Sequence, residues 1–394
     1  MASLTQLRPA IVVYAAATLQ GFAFTLVPAL AVVFSAAPYH IDAGAFGELF
    51  VALTLGAILA ATTTPFIARK HRMVGVLRFG VAANVIGLGA LIGSLLLPRA
   101  DAYELLLADS AALGLGFGLN FSAVNELASA LSANPTRSIT IANVLTGLGT
   151  ALTPLLVGTL VARGSWVVWP AVLLVAFSCV LLLTTGSARA PVGRGRSGKT
   201  KALSRGLVLF GVAALLYAFC EGAFSSWATT FAQVDRRFSL ATGEAALSGF
   251  WLALTCTRIV AALLPRALEP RWAFRLFPVA VGVTFLLLPV WTTPPLLVLG
   301  FIMGGAACSI VFPYAMALAF RAMPSDKDRV AAVLVGALMA GEGLGTFSIG
   351  ILRTNAGLSL SQIYRGSAAV ALALAIVATL SVRVSPVNAV KSSR

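Results

Sequence analysis

The stretch GLNFSAVNELASALSANPTRSITIANVLTGLGTALTPLLVG, residues 118–158, decides how this chain is read. Two apolar runs flank a short polar turn, Asn134-Pro135-Thr136-Arg137-Ser138. Each run has the ~20 residues a helix needs to cross a bilayer. Yet they hold Asn120, Asn125, Glu126 and Asn143, which a helix facing lipid avoids. A related passage runs from Gly305 to Gly350 around its own turn, Pro324-Ser325-Asp326-Lys327-Asp328-Arg329. The rest of the chain is organised around these two helix pairs.

Working outward, the 394 residues are 59% hydrophobic and only 10% charged. Mean hydropathy is +0.94. A soluble domain carries about a quarter charged residues, so most of this surface cannot face water. The apolar runs are continuous and rich in Ala, Leu and Gly, whereas a membrane β-barrel would alternate over ten-residue segments. The expectation is an all-α polytopic membrane protein of twelve transmembrane helices. The spans read as 9–35, 44–68, 74–97, 104–130, 138–161, 166–186, 206–231, 243–264, 274–292, 295–318, 330–352 and 364–382. The run after residue 9 has no small-residue cleavage site and is taken as the first span, not a removable signal.

The net charge of +15 does not point to nucleic acid. The basic residues sit in short gaps between apolar runs, which is a topology signal. With a cytoplasmic N-terminus, the outer gaps hold six of the 28 Lys and Arg: Arg99, Arg163, Arg236, Arg237, Arg353 and Arg365. The positive-inside rule then places both termini in the cytoplasm and the chain in the inner (plasma) membrane. Cys179, Cys220, Cys256 and Cys308 all lie in apolar runs, without metal or disulfide spacing. No metal or cofactor is expected, and the expected state is a monomer. His40 and His71 read as loop residues without a ligand or base pattern.

The longest interior gap, 187–205, reads SARAPVGRGRSGKTKALSR. Its Gly, Ser and Pro content marks a flexible basic linker. It lacks GxxxxGK[ST] and a preceding strand, so it is no phosphate loop. It divides an N-terminal lobe, 1–186, from a C-terminal lobe, 206–383, with a tail from 384 to 394. The halves echo each other. Gly47-Glu48 returns as Gly243-Glu244, and Gly147-Leu148-Gly149-Thr150 as Gly343-Leu344-Gly345-Thr346. Both pairs are offset by 196 residues (243 − 47 and 343 − 147). Six spans, a linker and six related spans form the architecture of a transporter with parallel repeats.

At this point the whole chain resembles the major facilitator superfamily. Ala68-Arg69-Lys70-His71-Arg72 followed by Val76-Leu77-Arg78 is similar to its basic loop between helices 2 and 3, without the usual Gly and Asp. Gly147, Gly149, Pro154 and Gly158 resemble its Gly/Pro-rich helix 5. Two further stretches resemble the fucose/galactose/glucose proton-symporter branch and its relatives. They are Tyr217 to Trp227, with Glu221 and Ser226, and Phe250-Trp251 to Arg258, with Thr255. Asn125 also fits that branch. The chain departs from it in helix 1, apolar around Phe24-Thr25 before Pro28, and in helix 4, which reads Asn120-Phe121-Ser122 where an acid can stand.

Charge near the bilayer centre costs at least ~2.5 kcal/mol by insertion scales, so buried acids need a reason. By helical rise Glu221 lies about 4 Å from the middle of its span and Glu342 close to the middle of its own. These two are the proton-coupling candidates. Glu126 and Asp109 lie roughly 12–13 Å from the middle of theirs, towards the inner and outer ends. They are gating candidates, with Arg137 or Arg72 as the expected partner of Glu126. Arg258, in the inner half of span 8, either snorkels to the headgroups or pairs with an acid of its own lobe. The resemblance implies that helices 1, 4, 7 and 10 line a central cavity. Candidate solute contacts are Gln20, Asn120, Asn125, Asn143, Trp227, Trp251 and Tyr314. Side-chain amides offer paired donors and acceptors for hydroxyls, and Trp227 offers a face for a sugar ring. Lone aromatics more often serve packing or interface anchoring.

The sequence thus implies a secondary transporter for a small polar, sugar-like solute, coupled to protons. An exporter of amphipathic drugs or metabolites on the same fold is the alternative. A membrane enzyme would need a nucleophile–base pair, a metal cluster or a nucleotide loop, and the sequence offers none.

Overall fold

The computed structural model describes residues 4–131, 135–184, 204–263, 269–324 and 326–384. Residues 187–203 of the expected linker, and 385–394 of the tail, lie outside the described residues. The described chain is helical, and nine of its helices are long and apolar enough to cross a membrane. By contacts it divides into two compact units, residues 1–197 and 198–394.

In the first unit, the first span is broken. α1 (Leu4–Phe24), α2 (Leu26–Ala29) and α3 (Ala31–Ser35) follow one another with interruptions at Thr25 and Leu30. Thr25 turns its hydroxyl to the carbonyl of Thr150 at 3.0 Å. α4 (Ala43–Gly93) opens with Asp42, whose carboxylate accepts from the amide of Ala45 and caps the helix. Its 51 residues amount to about 76 Å of helix, more than two bilayer crossings. Arg72, at φ 62° and ψ 179°, breaks it into two arms, which correspond to spans 2 and 3. His71 therefore lies in helix beside this break, not in a loop. α5 (Arg99–Ser129), α6 (Pro135–Ala162) and α7 (Val168–Thr184) complete the unit.

The second unit holds α8 (Arg205–Ser225), the short α9 (Ala228–Thr230), α10 (Leu240–Leu263), α11 (Pro270–Leu287), α12 (Pro294–Cys308), α13 (Val311–Ala322), α14 (Lys327–Ala356) and α15 (Leu360–Val384). The expected span 295–318 is interrupted at Ser309-Ile310, between α12 and α13. The expected span 206–231 continues past α8 through α9 into a π turn, Phe231–Asp235. There Asp235 forms an ion pair with Arg353 at 2.8 Å and receives the Ser361 amide.

Glycine sets the helix spacing in both units. α1 packs on α6, and α8 packs on α14. A Cβ at Gly149 would sit 2.5 Å from the Thr18 carbonyl oxygen, and one at Gly21 2.0 Å from that of Thr146. In the second unit a Cβ at Gly345 would sit 2.4 Å from the Phe219 oxygen, and one at Gly222 2.8 Å from that of Glu342. Without a side chain the backbones touch directly, as small residues permit in membrane helices. The contacts superimpose the two repeats. Gly149 and Thr146 map onto Gly345 and Glu342 at the offset of 196 seen in the sequence (345 − 149). Thr18 and Gly21 map onto Phe219 and Gly222 at an offset of 201 (222 − 21).

Gly345→Ala should therefore destabilise the protein by about 1–3 kcal/mol, the range for overpacking. Gly366→Ala, on α15 with nothing within 4 Å of the new Cβ, should be neutral or mildly stabilising. Melting of the two variants in detergent checks this contrast. Equal melting temperatures would remove the close-contact argument.

Candidate functional site

Four of the expected solute contacts converge in the first unit. Gln20 on α1, Asn120 and Asn125 on α5 and Asn143 on α6 line one pocket with Ala17, Phe121, Val124 and Thr146. Its empty space is about 240 Å³, open mouth included. None of these eight side chains carries a charge. Asn143 Nδ2 lies 3.5 Å from Asn125 Oδ1.

Beneath the pocket is a buried amide cluster. Gln20 Oε1 accepts from Asn120 Nδ2 and from Asn84 Nδ2, each at 2.9 Å. All three residues are buried. The two bonds occupy the carbonyl end of Gln20 and leave its Nε2 hydrogens for other partners. Gly80 and Gly116 make room: a Cβ at Gly80 would meet Asn120 Oδ1 at 2.3 Å, and one at Gly116 would meet Asn84 at 2.6 Å. Asn84 was not expected from the sequence. A single Asn in the apolar run Gly80 to Gly89 was the available signal, because a lone amide in lipid is costly.

The second unit assembles charge instead. The repeat register places Glu221 where the first unit has Gln20. Glu221, on α8, is 7% exposed. It interacts electrostatically with Arg258 of α10 and Glu342 of α14. The Tyr217 phenol faces Glu221 from the preceding turn and its ring stacks on Phe312. Arg258 Nε donates to the Ser309 carbonyl at 2.8 Å, exposed by the break between α12 and α13. Arg258 is thus held at that break, within electrostatic reach of Glu221. Cys220 and Cys308 are buried free thiols in the same neighbourhood.

The expected aromatic contacts have other surroundings. Trp227 is 1% exposed, and its indole donates to the Thr346 carbonyl at 3.2 Å. Beside it Ser226 and Thr346 share a hydroxyl bond at 2.9 Å. The tryptophan ties α8 to α14 inside the core, with no face open for stacking in this conformation. Trp251 is buried and edge-on to Phe250. Tyr314 packs against Ala261, Ala273 and Ile310.

The gating candidates separate by burial. Glu126 is exposed near the end of α5, and Arg137 is exposed in the first turn of α6. Asp109 is 1% exposed, and neither carboxyl oxygen has a hydrogen-bond partner among the described residues. Glu244 of α10 shares that condition and was noticed in the sequence only as part of the repeat.

A family model described as the Major Facilitator Superfamily matches residues 12–327. The chain belongs to the Major Facilitator Superfamily. As a member it is a multi-pass transporter and not an enzyme. Among solved structures its fold is similar to the nucleoside transporter NupG, at 15% identity and a TM-score of 0.73, over 95% of this chain and 99% of that one. It is similar to a D-xylose-proton symporter at 14% identity and a TM-score of 0.75, over 96% and 97%. It is also similar to the E. coli fucose:proton symporter FucP at 14% identity and a TM-score of 0.65, over 96% and 98%. Comparison with curated protein sequences gives no match. At these identities the likeness carries the fold.

In this superfamily member the amide cluster predicts a measurable dependence. Asn84→Leu removes one donor to Gln20 and leaves a buried acceptor short of a bond. The cost should be about 1–3 kcal/mol, read as a lower melting temperature. Asn125→Ala, at the mouth of the pocket, should leave melting nearly unchanged. The reverse order would dissociate the cluster from stability.

Proposed function

We propose that this transporter moves a small, neutral, hydroxyl-bearing solute of sugar-like size by alternating access, coupled to protons at Glu221 and Glu342. The uncharged pocket with four side-chain amides carries this reading. Amides donate and accept in pairs, which suits vicinal hydroxyls. Phe121 adds an apolar surface for one face of a ring. The pocket's four side-chain amides favour a sugar or nucleoside over the amphipathic cargo of an exporter. The solved structures of similar fold include a nucleoside transporter, a D-xylose-proton symporter and a fucose:proton symporter, which supports the same class.

Coupling is assigned to the second unit because its acids lie near the middle of their spans. Glu221 and Glu342 are like charges that interact, and Arg258 is the cation that acts on Glu221 among the described residues. Two neighbouring carboxylates are hard to ionise together, so taking up one proton relieves the pair. Solute contacts in one lobe and proton exchange in the other give each ligand a different lobe to act on. Asp109, Glu126, Arg137 and Arg258 are assigned to gating. The protein is proposed to act as a monomer in the inner membrane, with both termini cytoplasmic.

Uptake into proteoliposomes of radiolabelled L-fucose, D-xylose and uridine, with and without a pH gradient, tests this. At least one probe should accumulate faster with an inward proton gradient. Glu221→Gln should abolish that stimulation while equilibrium exchange of the probe persists. Asn143→Ala should raise KM about tenfold, equivalent to losing one hydrogen bond of ~1.4 kcal/mol. Transport indifferent to both the gradient and Glu221→Gln would sink the coupling assignment. A C-terminal phosphatase fusion should be inactive if that terminus is cytoplasmic.

A further inference from the structure

We propose that one face of α10 is a proton path between Glu244, near the start of the helix, and the Glu221–Arg258–Glu342 cluster. The proposal takes its purpose from the proton-coupled reading above, and its route from the helix itself.

Glu244, Ser248, Trp251, Thr255 and Arg258 follow at spacings of four, three, four and three residues. At 100° per residue they fall within an arc of about 80°, and they run along about 21 Å of helix. Glu244 is 1% exposed, and Ser248, Trp251 and Thr255 are buried as well. α10 meets α12 through Gly249 and Phe250, which lie on other sides of the helix. The polar face is therefore not the seam with that neighbour. Both Glu244 carboxyl oxygens and the Ser248 hydroxyl are buried without a hydrogen-bond partner among the described residues. Buried polar atoms are normally satisfied, so Glu244 and Ser248 point to a guest that supplies the bonds, while the Thr255 hydroxyl donates to the Trp251 carbonyl at 2.9 Å and keeps its oxygen lone pairs for that guest. Water and the protons it carries fit an acid and hydroxyls in line.

The far end of the row meets the central charges. Arg258 interacts with Glu221, and Glu221 with Glu342. At the near end, Thr229 of α9 and Ala232 of the π turn approach Gly243. No charged side chain among the described residues interacts with Glu244. The fold itself does not require this face. At the repeat offset of 196 the first unit has Glu48, Ala52, Leu55, Leu59 and Thr62. There Glu48 is exposed and accepts from the Tyr103 hydroxyl at 2.6 Å. The polar row belongs to the lobe that carries the central acids.

The transfer balances simply. A hydronium ion gives its proton to the Glu244 carboxylate and leaves as water. The proton passes through water held by the Ser248 and Thr255 hydroxyls, along the Trp251 indole. It ends on the Glu221 or Glu342 carboxylate, and Glu244 returns to its starting form.

Hydrogen–deuterium exchange of the carboxyl groups, followed by infrared spectroscopy on the full chain in lipid vesicles, tests the route without any solute. The bands of Glu221 and Glu342 are identified by their loss in Glu221→Gln and Glu342→Gln. Ser248→Leu, which plugs the face, and Glu244→Gln should each slow exchange at those bands at least tenfold. Thr255→Val keeps the side-chain shape and should also slow it, so the test stands even if Ser248→Leu fails to fold. Exchange within twofold of the unmodified protein in Glu244→Gln and Thr255→Val overturns the path. A separate arm measures alkalinisation driven by L-fucose, D-xylose or uridine. No alkalinisation in the unmodified protein, with slowed exchange in the variants, overturns the coupling reading and leaves the route standing.

Discussion

Direct contact between helix backbones at glycine is the constraint on which the rest of this structure depends. In a bilayer the hydrophobic effect does not drive helices together, so close packing must do it. Gly149 against Thr18, and Gly345 against Phe219, bring two helix axes as near as backbone atoms allow. At that distance short polar side chains reach a neighbouring carbonyl. Thr146 donates to Ala17, Thr153 to Phe22 and Thr25 to Thr150 in the first unit. In the second, Trp227 reaches Thr346. These bonds are made where water cannot compete. They hold α1 on α6 and α8 on α14 in one register, and that register sets which polar groups meet.

The same contacts repeated in both halves place Gln20 and Glu221 at equivalent points. The halves diverge in what surrounds them. Gln20 is met by two asparagines, and the result is a neutral cluster with its acceptor filled. Glu221 is subject to the charges of an arginine and a second acid of its own lobe, where the first unit has a neutral cluster. A neutral cluster can recognise hydroxyls without responding to pH. A group of two acids and one base can respond to pH without touching solute. On the proposed reading, a duplicated scaffold serves two tasks through substitutions at equivalent positions of its repeats.

Much of this was legible in the residues. Low charge and long apolar runs dictate helices that cross a membrane, because a backbone in lipid must bond within its own segment. The offset of 196 exposed the repeat, since glycines that set helix contacts recur with the contacts. Gln20, Asn120, Asn125 and Asn143 stood out as amides in apolar runs, and they share a pocket. Other residues were misjudged for a physical reason. Trp227 looked like a stacking surface because an aromatic beside an acid resembles a ligand wall. Its indole N–H instead found a carbonyl on α14, a partner 119 residues away in sequence. Asn84 passed unnoticed because its importance lies in Gln20, 64 residues distant. The interruptions at Thr25 and Ser309 do carry a local signal: Pro28 and Pro313 follow within four residues, and a proline removes the helical bond to the carbonyl four residues before it and crowds that carbonyl.

By itself the sequence determined the membrane class, the number of spans and the family. Each of these depends on composition, periodicity or short spacing, which are local properties of the chain. The tertiary structure alone decided that four amides form one pocket, that Asn84 supports Gln20, that Arg258 is tied to the Ser309 carbonyl, and that Trp227 is a tie between helices. Those outcomes depend on which faces of distant helices meet and at what register. Glycine contacts choose that register, and their partners are backbone atoms that no residue type announces.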